Sequence, residues 1–272
     1  MNSKFERDAL KAIVAAAKAA GKLMRDNLYL EKRINASLAH DIKLELDVRC
    51  QELIEKSLAA RFPEVAVLGE EGDAGDTHAD YRWVVDPIDG TVNFSYGIPH
   101  ACVSIALQER WKPDEAEDST KPIDGYETVV GVVFDPFCRE LWTAIRGKPA
   151  LLNGRPIRVS DRKALKDCLV SFGFAKSRSH LDSSMPQFNQ VVGRVRKVRL
   201  MGSAALALCY VACGRFDAYL ETGIRLWDIA AGGLIIECAG GKFARDLIKG
   251  RHAYRVVASN GKLKNKLSSL GS

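Results

Sequence analysis

Apolar side chains recur along this chain with two different periods. Near the N-terminus, Ile13, Val14, Ala17, Ala20, Gly21, Met24 and Leu28 return every three or four residues, which predicts a helix. Ser3-Lys4-Phe5-Glu6 ahead of them reads as a capping box, a hydroxyl and a carboxylate set three residues apart. A second helix is predicted from Leu46 to Ala60, with Val48, Leu53, Ile54 and Leu58 inward and Pro63 ending it. Short apolar runs then take over at Val65–Leu68, Arg82–Val85, Ala101–Gln108, Thr128–Asp135 and Glu140–Ile145, and these predict the strands of a sheet. Gly72 to Asp80 reads as loop, and the acidic, proline-flanked stretch from Lys112 to Pro122 as an exposed loop. Asn153-Gly154 marks a turn.

The second half alternates strand and helix. Cys168–Phe172, Lys197–Leu200, Asp217–Glu221 and Val256–Ser259 read as strands. Met185–Val195, Ser203–Ala212 and Asp228–Ala239 read as helices, the last two stopped by Gly214 and Gly240-Gly241. Interleaving of this kind predicts layered sheets and helices, a mixed α and β class.

Length and charge narrow the picture. The 272 residues suffice for one large domain or two lobes sharing a core. No apolar run approaches the about 18–20 residues of a membrane span. Met1-Asn2-Ser3-Lys4-Phe5 lacks the apolar core of a signal peptide, so a cytoplasmic protein is expected. The cysteine count of 7 is odd and there is no Cys-x-x-Cys, which fits a reducing compartment with Cys209 and Cys213 as core thiols. The net charge of +6 hides an asymmetry: residues 1–150 hold 19 basic and 26 acidic side chains, residues 151–272 hold 21 and 8. A basic half could draw in phosphorylated small molecules or a polyanion such as RNA. It carries no aromatic interleaving and no nucleic-acid motif, so a solvated basic surface is the plainer reading.

Three short segments carry candidate chemistry. Gly69-Glu70-Glu71 follows a predicted strand, Trp83-Val84-Val85-Asp86-Pro87-Ile88-Asp89-Gly90-Thr91-Val92-Asn93-Phe94 runs a strand into two carboxylates, and Trp227-Asp228-Ile229-Ala230-Ala231-Gly232 opens a helix with an acid. Alone, Glu70 could be a solvated loop acid and Asp228 a helix cap. Asp86 and Asp89, three residues apart across a proline, repel unless a cation sits with them, and a hard oxygen-seeking ion such as Mg2+ suits them. Gly90-Thr91 offers backbone N–H groups to an anion, and a metal beside an anion cradle points to phosphate chemistry. The five histidines show no pairing and are not needed for it.

These motifs, in this order, resemble those of the inositol monophosphatase family within the lithium-sensitive, Mg2+-dependent phosphatase superfamily, over nearly the whole chain. The resemblance implies a layered α-β-α-β-α sandwich, with an N-terminal α+β lobe over 1–150, a C-terminal α/β lobe over 151–272, and a homodimer. It implies that Glu70, Asp86 and the carbonyl of Ile88 hold one Mg2+, that Asp86, Asp89 and Asp228 hold a second, and that a third sits near Glu70. Asp89, Gly90 and Thr91 would line the phosphate pocket. Asp47 would pair with the Thr91 hydroxyl to orient or deprotonate the attacking water. Glu221 would meet polyol hydroxyls beside Asp228, and Gly202-Ser203-Ala204 would lie on the substrate side. The run Asp41-Ile42-Lys43-Leu44-Glu45-Leu46-Asp47 departs from the family's usual Asp-Leu-Val-Thr, and Ala36 replaces its usual basic residue.

The expected activity is therefore Mg2+-dependent hydrolysis of myo-inositol 1-phosphate or a related polyol or sugar phosphate, at a site near the surface. Fructose 1,6-bisphosphate and adenosine 3′,5′-bisphosphate are alternative substrates on the same scaffold. A non-enzymatic alternative is an RNA- or protein-binding regulator acting through the basic half.

Overall fold

A computed structural model describes residues 3–31, 34–38, 41–112, 122–174 and 178–263. The Ser3 cap, the side chains of Ala36 and 41–43, and most of the acidic loop lie outside the described residues. The chain opens with α1 (Ser3–Asn27), β1 (Ile34–Leu38), β2 (Asp41–Leu44) and α2 (Glu45–Ala59). There follow β3 (Ala66–Gly69), β4 (Asp73–Ala74), β5 (Tyr81–Asp89), a short α3 (Thr91–Ser95), β6 (Cys102–Arg110), β7 (Tyr126–Asp135), β8 (Glu140–Ile145), β9 (Leu151–Leu152) and β10 (Arg155–Pro156). The remainder is β11 (Leu169–Phe172), α4 (Arg178–Val192), β12 (Lys197–Arg199), α5 (Ala204–Ala212), β13 (Ala218–Arg225), α6 (Leu226–Cys238), β14 (Lys242–Leu247) and β15 (Ala253–Ser259).

An eight-stranded sheet has the order β10-β9-β8-β7-β6-β5-β3-β4, and a five-stranded sheet the order β12-β11-β13-β15-β14. The predicted helical stripe of α1 is buried at Ile13, Ala17, Ala20 and Met24, and it packs with α2 on one face of the larger sheet. α5 and α6 are apolar nearly all round because both their sides are covered, by the larger sheet and by the smaller one. Alternation along β13 sends Tyr219 toward α5–α6 and Leu220 toward the outer layer with α4's Val191. The result is an α-β-α-β-α sandwich. Each fully buried Leu or Ile in its layers contributes about 1.5–3 kcal/mol. No helix among the described residues is long and apolar enough to cross a membrane.

The elements differ from the sequence reading where packing overrides pattern. α4 begins at Arg178, well before Met185, and carries Pro186 in its interior, where the ring forfeits a backbone donor. β14 escapes the pattern because it is a terminal strand whose charged residues Lys242, Arg245 and Asp246 break the apolar run. The Asn153-Gly154 turn joins β9 to β10 with both residues at positive φ, 50° and 77°, as a two-residue hairpin with right-twisting strands requires.

Two carboxylates, half-buried Asp124 and buried Asp217, brace the second half. Arg245 Nη2 donates to Asp124 Oδ1 at 2.9 Å and the Tyr254 hydroxyl to Oδ2 at 3.2 Å, tying β14 and β15 to the segment before β7. Asp217, fully buried ahead of β13, accepts from Arg162 Nε at 2.7 Å, Ser160 Oγ at 2.5 Å and Leu169 N–H at 2.8 Å. Asp217→Ala strands all three donors and is expected to cost about 3 kcal/mol, read as a lowered midpoint in urea unfolding.

Candidate metal centre and active site

β5 runs through both aspartates of the Asp-Pro-Ile-Asp segment rather than stopping before them. Side chains three apart on a regular strand face opposite ways. Here Asp86 pairs with Ser104 and Asp89 with Cys102, so three steps along β5 match two along β6. The extra residue is a bulge, and it turns both carboxylates to one side. Pro87, which has no N–H for the ladder, falls inside it.

The first turn of α6 brings the third acid. Asp228 Oδ2 accepts the Arg225 N–H at 2.9 Å, so Asp228 does cap its helix. It is also a member of the cluster: one carboxylate oxygen each from Asp86, Asp89 and Asp228 lie within 4.8 Å of one another. Asp86 is 1% exposed and Asp89 7%. Asp228 is half-buried, so the cluster lies below the surface at the two β5 acids and keeps partial exposure at Asp228.

The three acids are held differently. Asp86 Oδ1 accepts the Ile88 N–H at 3.0 Å, while its buried Oδ2 meets no donor among the described residues. Burial, then the charges of Glu70, Asp89 and Asp228, drives the Asp86 pKa well above the usual carboxylate range. Burial and the neighbouring Asp89 push Asp228 up to about 8. Asp89 is raised by burial as well, but Ser203 and the Ala205 and Ala204 N–H groups oppose that rise. Ser203 Oγ and the Ala205 N–H donate to its Oδ2 at 2.5 and 2.8 Å, and the Ala204 N–H to Oδ1 at 3.3 Å. The positive end of α5 thus faces this carboxylate. Like charges this close and this dry cannot all ionise without cations among them, and an all-oxygen donor set suits hard divalent ions.

The other expected residues surround the cluster. Glu70 follows β3 half-buried; its N–H donates to the Val85 carbonyl at 3.1 Å and its charge acts on Asp86. Gln51 on α2 holds that turn, accepting the Glu71 N–H at 3.0 Å and donating to the Gly72 carbonyl at 2.9 Å. The Thr91 hydroxyl donates to the Ile88 carbonyl at 2.8 Å. Asp47 is buried at the start of α2, its Oδ2 accepting the Leu44 N–H at 2.8 Å. Gly90 has φ of 93°, and a Cβ there would stand 2.9 Å from the His100 carbonyl oxygen. Gly202-Ser203-Ala204, expected on the substrate side, lies against Asp89 through Ser203 and Ala204. Glu221 is half-buried on β13, where the Tyr219 hydroxyl donates to its Oε2, and its charge acts on Asp228.

Several supporting residues escape the sequence reading. Asn93 Nδ2 bridges the His100 and Met201 carbonyls at 2.9 and 2.8 Å, tying α3 to the approach to α5. It lies inside the Asp86–Phe94 motif, but a neutral amide there carries no charge that marks it. Ser104 Oγ donates to the Trp227 carbonyl at 3.1 Å, fixing α6 to β6 beside Asp228. Nothing in the sequence around Ser104 marks it.

Comparison with known proteins follows the same lines. The family model described as "Inositol monophosphatase family" matches residues 6–116 and 121–269. The chain is 38% identical over 244 residues to the Nus factor SuhB of Xylella fastidiosa, covering 87% of this chain and 82% of that one. It is 37% identical over 266 residues to inositol monophosphatase 3 of Solanum lycopersicum, covering 94% and 93%. The crystal structure of the extragenic suppressor protein SuhB from Bartonella henselae superposes with a TM-score of 0.86 at 30% identity, covering 97% of this chain and 98% of that one. With the three motifs converging on one acidic cluster in that fold, the chain belongs to the inositol monophosphatase family.

Proposed function

We propose that this chain is a Mg2+-dependent phosphomonoesterase hydrolysing myo-inositol 1-phosphate or a related polyol or sugar phosphate. The observation that carries the reading is the convergence of buried Asp86 and Asp89 with half-buried Asp228, Asp86 Oδ2 lacking any donor among the described residues. Relatives of similar identity bear both kinds of name, inositol monophosphatase and Nus factor. The choice of substrate therefore leans on Glu221, an acid suited to accept from vicinal hydroxyls.

In this reading, Asp86, Asp89 and Asp228, with Glu70 and the Ile88 carbonyl beside them, hold two or three divalent cations. When bound, these supply the charge and Lewis acidity that hydrolysis of a phosphate monoester dianion requires. The Gly90 and Thr91 backbone N–H groups line the phosphate pocket, and Asp89 borders it. Thr91 and Asp47 orient the attacking water. For the two to share that task directly, the Thr91 hydroxyl turns from the Ile88 carbonyl. Residues 1–150 and 151–272 serve as two lobes of one site.

Phosphate release measured across inositol 1-phosphate, fructose 1,6-bisphosphate and adenosine 3′,5′-bisphosphate tests the proposal. Mg2+-dependent turnover should be fastest on the first. Faster turnover on either bisphosphate moves the assignment, and no metal-dependent turnover on any of them rejects it. Asp89→Asn is expected to lower kcat about a thousandfold. Its amide NH2, set against either the Ala204 N–H or the Ala205 N–H and Ser203 hydroxyl, should also cost about 1–2 kcal/mol in thermal unfolding.

The cluster also dictates a pH dependence. In the cation-free fold Asp86 and Asp228 hold protons that the unfolded chain releases near pH about 4. The folded state then binds more protons than the unfolded one, so stability falls as pH rises from that point through about 8. Melting temperatures in EDTA should drop across this window, and Mg2+ should restore them most at its alkaline end. A cation-free melting temperature that climbs steadily over the same range contradicts this electrostatic account.

A further inference from the structure

Glu221 sits among like charges, since it and Asp89 both act to raise the Asp228 pKa. A glutamate on a strand has several rotamers open to it, and such repulsion favours those that swing outward. Three local features oppose that. Tyr219 lies two residues earlier on β13 and so shares its face, is 2% exposed, and donates its hydroxyl to Glu221 Oε2. Burial, then the charge of Glu221, pushes the phenol pKa well above its ordinary value, so the hydroxyl stays a donor throughout the working pH range. On the neighbouring strand, Gly173 follows β11 and donates its N–H to the Leu220 carbonyl at 3.0 Å. Its missing side chain makes the room: a Cβ at 173 would stand 1.9 Å from Glu221 Oε2 and 2.6 Å from the Tyr219 hydroxyl oxygen.

We infer that Tyr219 is the positioning residue for Glu221, and that the Gly173–Tyr219–Glu221 contact sets how strictly the site selects polyol phosphates over other phosphomonoesters. The inference rests on the proposed role of Glu221 toward substrate hydroxyls. A phenol fixed to one carboxylate oxygen fixes the plane of the group, and with it the direction of the second oxygen. A polyol then meets an acceptor already oriented, and a substrate without hydroxyls gains nothing from it.

The test uses the full chain at saturating Mg2+, with myo-inositol 1-phosphate and p-nitrophenyl phosphate as paired substrates. Tyr219→Phe keeps the ring and removes the hydroxyl. Gly173→Ala removes no polar group but crowds the Glu221 carboxylate and the Tyr219 hydroxyl apart from their present contact, so it serves as a second variant. Each should lower the ratio of kcat/KM for inositol 1-phosphate over p-nitrophenyl phosphate about tenfold, mainly through KM for the polyol. Glu221→Gln should lower the same ratio, and adding Tyr219→Phe to it should lower it no further. If Glu221→Gln shifts the ratio while Tyr219→Phe and Gly173→Ala leave it at the parental value, positioning by Tyr219 is refuted and the role of Glu221 stands. An equal loss on both substrates in both variants refutes it too, since that is damage to the site at large. A parent chain that turns over neither substrate, or a Glu221→Gln ratio that does not move, overturns the underlying functional reading instead.

Discussion

Mutual repulsion among three closely packed carboxylates is the constraint from which the rest of the site follows. Asp86, Asp89 and Asp228 approach within 4.8 Å while two of them are almost entirely shielded from water. No chain adopts that arrangement for its own stability, because burial and like charge both penalise the ionised forms. The scaffold must therefore impose it. A bulge in β5 supplies two of the acids, and the first turn of α6 presses the third against them. The N-terminus of α5 offsets part of the cost at Asp89.

Such a cluster survives only if the elements bearing it cannot drift apart. β5 belongs to the larger sheet, whereas α6 leads out of β13 in the smaller one. Hydrogen bonds cross between these parts close to the acids: the Ser104 and Asn93 side chains donate to the Trp227 and Met201 carbonyls, and the Ser203 hydroxyl to the Asp89 carboxylate. Farther away, Asp124 gathers Arg245 and Tyr254, and Asp217 gathers Arg162, Ser160 and Leu169. α5 and α6 sit between the two sheets and share one apolar core with both. Their lack of a polar stripe is the local signature of that sandwiched position.

Much of this was legible in the chain. Helical stripes, apolar strand runs and the Asn-Gly turn follow from short-range rules, and α1, α2, β6, β7, β8 and the β9–β10 turn follow them. The carboxylates stood out because strand ends and helix starts are where rigid backbone can aim a side chain. What stayed hidden depends on long-range pairing. The β5 bulge exists only relative to β6, so no pattern in β5 alone announces it. Ser203, read as part of a substrate-side segment, has its immediate partner in Asp89, 114 residues away in sequence. β14 reads as polar because its exposed residues answer to water at the sheet border, not to a core.

The unequal treatment of the three acids has a mechanistic sense. Asp89 has its donors built in, so its direction is set whether or not any cation is present. Asp86 keeps an oxygen with no donor among the described residues, and its elevated pKa, like that of Asp228, means that protons occupy what cations would otherwise neutralise. Divalent cations held there would replace those protons, and the bulge and both helix starts that aim the acids are already in place. The placement of the acids is thus a property of the fold, while their charge state is left to the ions and to pH.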